Sequence, residues 1–423
     1  MKSLTNKIKY IYDEYLIFFI LLFGILTSFS YVFPILNVNN TEGYIYRGVL
    51  LGLICFLFVI GLFLYKKNPS KKLIISCSAY LVSGILSIFI APLTKNVSID
   101  GFHYFLAALQ IVINILSIFI YIWLMKDYSF SKKSITISCL IMITFGLFLT
   151  IYSYIAQWQS IIDTFTKEYG WNYDVTSIFQ DKTTYGFMLL MCSLFSIILT
   201  LNTKKYWLYI LPIFFLANMF ISRNKTSILC LCFLLLCLLI YHLVHSFKKY
   251  KVIWIVCLST AFGIILLFSL LTAFKVGPFD KFNYYITQVI FNDASVVMQD
   301  RLSRWSNVFK STDNAFLNIF GAGERISSAV LAVPTGDSVY INTYATGGII
   351  KCLLYILLIV LVMQYNIKNT NGGWNKFLVI SFELVLLIGG FFEDDLLFGF
   401  SHTALLGGLF FYCAPKLLEI SNN

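Results

Sequence analysis

Residues 134–155 read SITISCLIMITFGLFLTIYSYI, an uncharged run that directly follows Lys132 and Lys133. Such a run is long and apolar enough to cross a bilayer as an α-helix. Similar runs recur along the chain, whose 423 residues are 59% hydrophobic and 12% charged, with a mean hydropathy of +0.82. The alternating segments of a transmembrane barrel are missing from the sequence. We therefore predict an all-α, polytopic integral membrane protein with a single transmembrane domain over residues 1–423.

The apolar runs predict about twelve membrane-spanning helices. The first run follows the basic segment MKSLTNKIKYIYDEY, is too long for a signal-peptide core and lacks a cleavage site, so we expect it to be retained. A large late loop, residues 275–337, separates the ninth and tenth spans. The predicted spans are 15–36, 44–65, 73–93, 102–125, 134–155, 183–202, 206–222, 226–246, 251–274, 338–363, 374–391 and 396–415.

Basic residues are distributed unevenly between the two sets of connections. One set contains KKNPSKK, KDYSFSKK, NTKK and FKKYK, whereas the short loops of the other set are nearly free of lysine and arginine. Because positive residues mark the cytoplasmic side, we predict that both termini are cytoplasmic and that the 275–337 loop faces outward. This asymmetry accounts for the net charge of +11. Nucleic-acid binding is not expected.

Arginine is distributed differently from lysine. All of the arginines fall on the predicted outward side, where they are not topology signals. A guanidinium is preferred where a planar fork must hold phosphate or carboxylate, whereas lysine suffices as a hydrated anchor. The pattern favours an anion-binding surface outside the membrane. The arginines are Arg47, Arg223, Arg301, Arg304 and Arg325.

The connection SRNKTS between the seventh and eighth predicted spans holds two cations, Arg223 and Lys225. So short a turn keeps both close to the lipid headgroups, which indicates a fixed anion clamp at the membrane surface. The alternative is that both side chains simply reach lipid phosphate.

The sequence DASVVMQDRLSRWSNVFKS in the large loop predicts an amphipathic helix lying along the membrane surface. A helix would place Arg301 and Trp305 on one face, with Arg304 between them. The guanidinium could then bind a phosphate while the indole lies in the interface. The alternative is a helix whose charges face only water or headgroups. The apolar residues with helical spacing are Val297, Leu302, Trp305 and Phe309.

Two further features of the loop are candidates for substrate contact. Gly321 and Gly323 in IFGAGERI either contact the substrate or form only a tight turn, and they do not follow a strand as a nucleotide fold requires. Asp337 at the start of the tenth span can cap that helix. It can alternatively act as a base that takes a proton from an acceptor hydroxyl.

Other charged residues lie in or beside the later spans. The acidic group Glu393, Asp394 and Asp395 forms either a solvated turn or a cluster in which repulsion favours protonation. Lys351 and Glu383 lie inside spans, so we expect them to pair with each other or with water in a cavity. The cysteines lie in or beside apolar runs and the histidines are scattered, so we predict no disulfide framework, no metal site and no cofactor.

The order of these motifs resembles the O-antigen polymerase and O-antigen ligase superfamily of bacterial surface-polysaccharide assembly. The resemblance rests on SRNKTSIL in a short outward turn, RLSRW in a long outward loop, IFGAG, and DSVYINTYATGGIIKCLLY entering the next span. About twelve spans with one large late periplasmic loop extend the resemblance over nearly the whole chain.

The resemblance implies a bacterial inner-membrane glycosyltransferase that joins polyprenyl-diphosphate-linked oligosaccharide repeat units on the periplasmic face. Arg223 and Arg301 match the family arginines, and Gly321 and Gly323 match the Gly-x-Gly of the large loop. Asp337 and Ser338 stand where ligases usually carry His followed by Asn, which favours a polymerase. Arg325 to Gly336 also fits the Arg-x10-Gly pattern of some polymerases.

On this hypothesis Asp337, Arg223 and Arg301 are the catalytic residues: the arginines bind the departing diphosphate and Asp337 activates the acceptor hydroxyl. The expected partners are the lipid-linked oligosaccharide, membrane lipids and a chain-length regulator. The alternatives are a lipid-linked oligosaccharide flippase or an O-antigen ligase of the same pathway, and an ion-coupled transporter. The expected substrate-binding residues are Lys225, Arg304, Trp305, Gly321, Gly323 and Arg325.

Overall fold

The computed structural model describes residues 2–28, 46, 49–50, 52–53, 56–57, 59–61, 63, 71–128, 130–166, 175–179, 181–244, 266–267, 270, 293–334, 338–392 and 402–419. The elements of this part of the chain are helices. The prediction of an all-α membrane protein is therefore confirmed.

The helices are numbered here in chain order, and a 3-10 turn at Tyr206–Tyr209 leads into α7. The helices are α1 (Lys2–Ser28), α2 (Lys71–Thr94), α3 (Gly101–Lys126), α4 (Lys132–Ala156), α5 (Trp158–Thr166), α6 (Lys182–Thr203), α7 (Ile210–Ile221), α8 (Lys225–Val244), α9 (Asp293–Ser311), α10 (Ala315–Phe320), α11 (Ser327–Leu331), α12 (Val339–Lys368), α13 (Gly373–Gly390) and α14 (His402–Leu417).

Seven of the described helices are long and apolar enough to cross a membrane, namely α2, α3, α4, α6, α8, α12 and α13. Shorter apolar helices cover Glu14–Leu26, Tyr206–Ile221 and Ala404–Leu417. The count of twelve spans stays a prediction, because half of the predicted span 44–65 and nearly all of the predicted span 251–274 lie outside the described residues. Helix α1 begins at Lys2, well before the predicted start of the first span at residue 15.

Side-chain caps fix where several spanning helices begin. The side chains of Asp100, Ser131 and Asp181 accept hydrogen bonds from backbone amides three residues ahead, at 2.8, 3.0 and 2.7 Å respectively. Each bond satisfies one of the amides that the first turn of a helix leaves without a partner. These polar residues therefore mark the boundary between connection and helix.

Helix α6 is the centre of the bundle. Every side chain from Tyr185 to Thr200 is buried, and the helix packs against α4, α7 and α14. The hydrophobic core around it also takes residues from α1, α3, α8, α12 and α13. An apolar helix that is buried on all sides is expected at the middle of a bundle rather than at its lipid boundary.

A second, smaller hydrophobic core lies between α2, α3, α12 and the large loop. It includes Ile88 and Ile111 from the two early helices, Leu317 and Ile326 from the loop, and Ala345 from α12. Helix α10 accordingly packs against both α2 and α12. The described part of the predicted outward loop is therefore folded onto spanning helices.

Arg223 and Arg301 lie at one end of the bundle, which we call the arginine end. It is formed by the C-terminal ends of α2, α7 and α13 and the N-terminal ends of α3, α6, α8 and α12. At the opposite end, Lys133 pairs with Glu14 at 2.7 Å and Lys416 donates to the Leu124 carbonyl at 3.0 Å. The structure thus separates the two ends that the loop charges distinguish in the sequence.

Candidate functional site

The turn between α7 and α8 places Arg223 at the arginine end in an unusual backbone conformation. Its φ is +57°, a left-handed conformation that glycine adopts readily and that other residues adopt at a cost of about 1–2 kcal/mol. The Arg223 side chain is only 3% exposed, and its Nε and Nη1 atoms are shielded from solvent. The sequence therefore keeps a charged side chain at a position whose backbone favours glycine.

The hydrogen bonds of this turn explain the left-handed residue. The Arg223 amide donates to the Phe220 carbonyl at 3.1 Å, and the Asn224 amide donates to the Met219 carbonyl at 3.2 Å. This is the Schellman pattern that ends a helix, usually with glycine where Arg223 stands. Asn224 then caps α8 by accepting from the Ser227 amide at 2.8 Å.

The amide group of Asn224 also ties the turn to α6. Its Nδ2 atom donates to the carbonyls of Lys182 and Thr183 at 3.2 and 3.0 Å. A β-carbon at Gly186 would overlap the Asn224 side chain. The turn that carries Arg223 is therefore fixed against the central helix. Lys225 is half-buried in the first turn of α8.

Arg301 lies on α9 and contacts the end of α13. Its Nη1 atom donates to the Phe392 carbonyl at 3.4 Å, and its guanidinium lies 5.3 Å from the centre of the Phe392 ring. A cation beside the last carbonyls of a helix is favourable because those carbonyls carry partial negative charge. Arg301 thus has a structural role beside the predicted one.

Arg223 and the Arg301 contact lie at the same level of the bundle. The Cys230 thiol of α8 donates to the Val385 carbonyl of α13 at 3.5 Å. Cys230 follows Arg223 by seven positions and Val385 precedes Phe392 by seven, so each is about 10 Å along its helix from that contact. The Arg223 turn and the Phe392 carbonyl therefore lie at equal depth on neighbouring helices.

The predicted helix is present as α9. Among its described side chains Val308 is buried, whereas Leu302 and Phe309 are 50% and 51% exposed, and the Phe309 ring lies 4.9 Å from the Tyr344 ring. Arg304 pairs with Asp300 at 2.9 Å one turn earlier, and Trp305 is half-buried with its indole nitrogen shielded from solvent. The position of α9 along a membrane surface stays a prediction.

Gly321 and Gly323 form a close backbone contact with α12. The Ala322 amide donates to the Ala345 carbonyl at 2.7 Å and the Gly323 amide donates to the Thr346 carbonyl at 3.0 Å. The φ values of the two glycines are +75° and +93°. A β-carbon at Gly321 would overlap the α12 backbone at Gly347. The tight-turn alternative thus has direct structural support, and substrate contact by these glycines stays a prediction.

A kink in α12 provides the carbonyls that receive the loop. Gly348 has φ +60° and ψ −159°, outside the helical region. Kinks leave nearby helical carbonyls without their usual partners. The amides of Ala322 and Gly323 supply partners from outside the helix, so the Gly-x-Gly turn and the kink are complementary.

Below this contact the loop places Glu324 among polar groups from three helices. Its Oε1 atom accepts hydrogen bonds from Lys351 Nζ at 2.5 Å, Tyr80 Oη at 2.7 Å and Asn114 Nδ2 at 3.3 Å. Lys351 also donates to Thr346 Oγ1 at 2.7 Å. Burial alone would raise the pKa of Glu324, but the Lys351 ammonium and these hydrogen bonds outweigh it and hold that pKa below its ordinary value.

This ion pair lies well inside the bundle. Lys351 follows the first residue of α12 by twelve positions and Asn114 follows the first residue of α3 by thirteen, which places both about 18–20 Å from the arginine end. A hydrocarbon core is about 30 Å thick. The tip of the large loop therefore reaches down between spanning helices instead of remaining outside them.

Arg325 follows Glu324 at the tip of the loop and is exposed. Its φ is +61°, so two of the four described arginines have left-handed backbones. Its Nε atom donates to Gln110 Oε1 at 3.1 Å, and Gln110 donates to Asn114 Oδ1 at 3.0 Å. The Arg325 side chain contacts α3, whereas the turn that carries Arg223 is bound to α6.

One of the two alternatives predicted for Lys351 and Glu383 is wrong. Lys351 and Glu383 do not pair with each other, because Lys351 pairs with Glu324 and Glu383 accepts a hydrogen bond from Asn366 Nδ2 at 2.7 Å. Asn366 lies fifteen positions after Lys351 on α12, about 22 Å along the axis. The two charges therefore lie at different depths in the bundle.

Several predicted site residues lie outside the described residues. They are Arg47, Gly336, Asp337, Glu393, Asp394 and Asp395. The N-cap position of α12 is occupied by Ser338, whose hydroxyl donates to the Gly390 carbonyl at 3.4 Å. The role of Asp337 as a base stays a prediction.

Sequence reasoning missed Glu324 as the partner of Lys351. A lysine inside an apolar span requires an acidic partner or water. This requirement was the first feature of the sequence that indicated a partner for Lys351. The polar residues Tyr80 and Asn114 within early spans were a second signal. Neither signal identifies a partner in a loop, since loop insertion is a tertiary property.

Among the described residues, no group of three or more histidine, cysteine or acidic side chains could hold a metal ion. No protein-family model matches the sequence, and it matches neither a curated protein nor a solved structure. The resemblance to the O-antigen polymerases therefore stays a prediction from the motifs and their order.

Proposed function

We propose that this protein is a surface-polysaccharide polymerase of the O-antigen type. It would join oligosaccharide units carried on polyprenyl diphosphate at the outer face of a bacterial inner membrane, with the lipid diphosphate as leaving group. The observation that carries the proposal is Arg223, a nearly buried arginine with φ +57° at the end of a membrane bundle.

The backbone of Arg223 supports a role for its side chain. Glycine would satisfy the Schellman turn with less strain. Strained residues that persist in a fixed environment are concentrated at functional sites. The guanidinium therefore accounts for an arginine at a position whose backbone suits glycine. Its location near the membrane boundary suits a ligand that combines a lipid chain with phosphate.

The chemistry of the proposed reaction requires such a group. Breaking the bond between a sugar and a lipid diphosphate leaves additional negative charge on the diphosphate. Donors fixed in advance stabilise that charge without reorganising during the reaction, and a guanidinium can hold phosphate oxygens through two parallel hydrogen bonds. Arg223 would hold the diphosphate, with Arg301 at the same level and Lys225 beside them.

The acceptor side of the reaction requires a base. We assign this role to Asp337, which would take the proton from the attacking hydroxyl as the sugar–oxygen bond to the diphosphate breaks. Ser338, the N-cap residue of α12, follows it directly. Arg304, Arg325, Trp305, Gly321 and Gly323 would contribute to binding the lipid-linked substrate.

The decisive variant is Arg223→Gly, because glycine suits the left-handed turn and removes only the side chain. In a host strain that lacks the native gene, we expect the ratio of long-chain to single-repeat surface polysaccharide to fall by about 10²–10³. Arg223→Lys should restore only part of this ratio, since lysine lacks the fork. Lys310→Ala, an exposed cation at the end of α9, is the matched control and should retain the full ratio.

Two outcomes would contradict the proposal. One is a complete long-chain ladder from Arg223→Gly at normal protein level. The other is a deletion strain whose lipid carries no repeat unit at all, because that defect belongs to a flippase rather than to a polymerase.

A further inference from the structure

We propose that Glu324 is a positioning residue that fixes Arg325 for substrate binding, through its ion pair with Lys351. This inference rests on the proposed function, because it concerns an arginine assigned to the lipid-linked substrate. It adds a residue that would not touch the substrate itself.

The Glu324 carboxylate is held from three directions. Lys351, Tyr80 and Asn114 belong to α12, α2 and α3 respectively, and all three donate to the same oxygen. The Lys351 ammonium also lies 5.7 Å from the centre of the Tyr80 ring. Glu324 is buried, so its carboxylate cannot shift without breaking charge-assisted contacts in a region of low dielectric.

Hydrogen bonds connect this fixed carboxylate to the Arg325 guanidinium. Asn114 donates to Glu324, Gln110 donates to Asn114, and Arg325 donates to Gln110 at 3.1 Å. Glu324 and Arg325 are also adjacent in sequence. The backbone and the side-chain bonds therefore form a closed ring that determines where the guanidinium lies.

The backbone on both sides of Arg325 is fixed as well. Before it, the amides of Ala322 and Gly323 are bound to α12. After it, the side chains of Ile326 and Val330 are buried in the second hydrophobic core. Arg325 is the exposed residue between these anchors, and its left-handed backbone turns it away from the packed side. The tip thus presents one cation from an otherwise buried segment.

The ion pair acts together with the amide bonds of Ala322 and Gly323 and the apolar contacts that dock the segment on α12. A buried ion pair is weak evidence for stability, because desolvation can exceed the Coulombic gain. Fixed direction is the property that a charged carboxylate with three donors adds to this docking.

The test is a double-mutant cycle in the full-length protein. Wild type, Glu324→Gln, Arg325→Ala and the combined variant are compared in the host strain that lacks the native gene, at matched protein level. The first readout is the ratio of long-chain to single-repeat surface polysaccharide. The second is hydrogen–deuterium exchange of the Ala322 and Gly323 amides in the purified protein, which does not depend on the function.

If Glu324 acts through Arg325, each single variant lowers the polysaccharide ratio by at least about tenfold, since small misplacements of a binding group reduce rate strongly. The combined variant is then no worse than Arg325→Ala alone. Amide exchange rises in Glu324→Gln and stays near wild type in Arg325→Ala. Glu383→Gln, which neutralises another buried carboxyl, should leave both readouts near wild type.

Effects that multiply in the combined variant would overturn the inference, as would unchanged amide exchange in Glu324→Gln. A full ladder from Arg325→Ala, together with a lost ladder in Arg223→Gly, overturns this inference and leaves the proposed function standing. Full ladders from both arginine variants overturn the proposed function itself. If Glu324→Gln does not accumulate, Glu324→Gln/Lys351→Met replaces it in the cycle, because it leaves no unpaired buried charge.

Discussion

Among the described residues, two ion pairs attach the large loop to the bundle, and they differ in solvent exposure more than in length. Lys95 and Asp313 lie 2.6 Å apart with side chains 25% and 65% exposed, and Lys351 and Glu324 lie 2.5 Å apart with side chains 17% and 11% exposed. The first pair joins the residue after α2 to the connection between α9 and α10. The second joins α12 to the tip.

Two ion pairs of nearly equal length can therefore differ in how strongly the stability of the protein depends on them. Water and salt screen the exposed pair, and exposed pairs contribute little net stability. Removing one partner of a buried pair leaves a charge that water cannot solvate, which is strongly destabilising. The connection after α9 is therefore held loosely and the tip of the loop firmly, although both contacts involve one lysine and one carboxylate.

Breaking the buried pair should have the largest effect on stability. We expect Glu324→Gln or Lys351→Met to lower the free energy of unfolding by about 3–5 kcal/mol, because each leaves an uncompensated buried charge. The combined variant should lose much less. Unfolding of the purified protein in detergent measures this, and a combined loss equal to the sum of the single losses would show that the partners are independent.

Breaking the backbone contact between the loop and the kink should have the next largest effect on stability. A pair of glycines separates the cost of the left-handed backbone from the cost of the steric overlap. Gly348 and Gly372 both have positive φ, +60° and +80°. A β-carbon at Gly348 would overlap the Ile319 carbonyl, whereas at Gly372 it would meet only Asn375 Nδ2, at 3.8 Å. Gly372→Ala should cost about 1–2 kcal/mol from the backbone alone.

Gly348→Ala should cost more than Gly372→Ala, because the Ile319 carbonyl has to move away. The same unfolding measurement compares the two variants. Equal losses would mean that the close approach of α10 to the kink adds nothing to the docking of the loop.

Lowering the pH should weaken the buried ion pair between Lys351 and Glu324. The pKa of Glu324 is held below its ordinary value in the folded protein. Its contribution is therefore fully present above the unfolded-state pKa of about 4.3 and is lost as the pH falls through the folded-state value. The difference in unfolding free energy between wild type and Glu324→Gln should stay constant from pH 7 to about pH 5 and narrow as the pH falls below about 4.3. A difference that does not narrow below about pH 4.3 would contradict the assignment.

The exposed pair should have the smallest effect. The hydrogen bond and charge of Lys95 hold the pKa of Asp313 below its ordinary value, so acid acts on it in the same direction. Asp313→Asn should change unfolding only marginally, and the change should disappear at high salt. A loss comparable to that of Glu324→Gln would remove the distinction between the two pairs.

Much of the fold could be predicted from the sequence because long uncharged runs determine spanning helices by length and composition alone. Helices α2, α3, α4, α6, α12 and α13 begin and end within a few residues of their predicted limits, apart from the extension of α12 to Lys368. The α9 helix was also predictable from its spacing. These are local properties of the chain.

The placement of the loop tip was not predictable in this way. Gly321, Gly323 and Arg325 were identified as candidates, but a turn that faces water and one that enters a bundle have similar local sequence. The partners of Glu324 are 244, 210 and 27 positions away. Only the tertiary arrangement of α2, α3 and α12 brings them together.

The positions of these partners along the chain determine when the loop tip can dock during synthesis. Tyr80 and Asn114 leave the ribosome long before Glu324, and Lys351 leaves after it. The tip of the loop can therefore dock only when the tenth predicted span has entered the membrane beside helices already present. Docking of the tip is a late step of biogenesis, and a chain truncated before residue 351 would carry a loop with no cation to receive it.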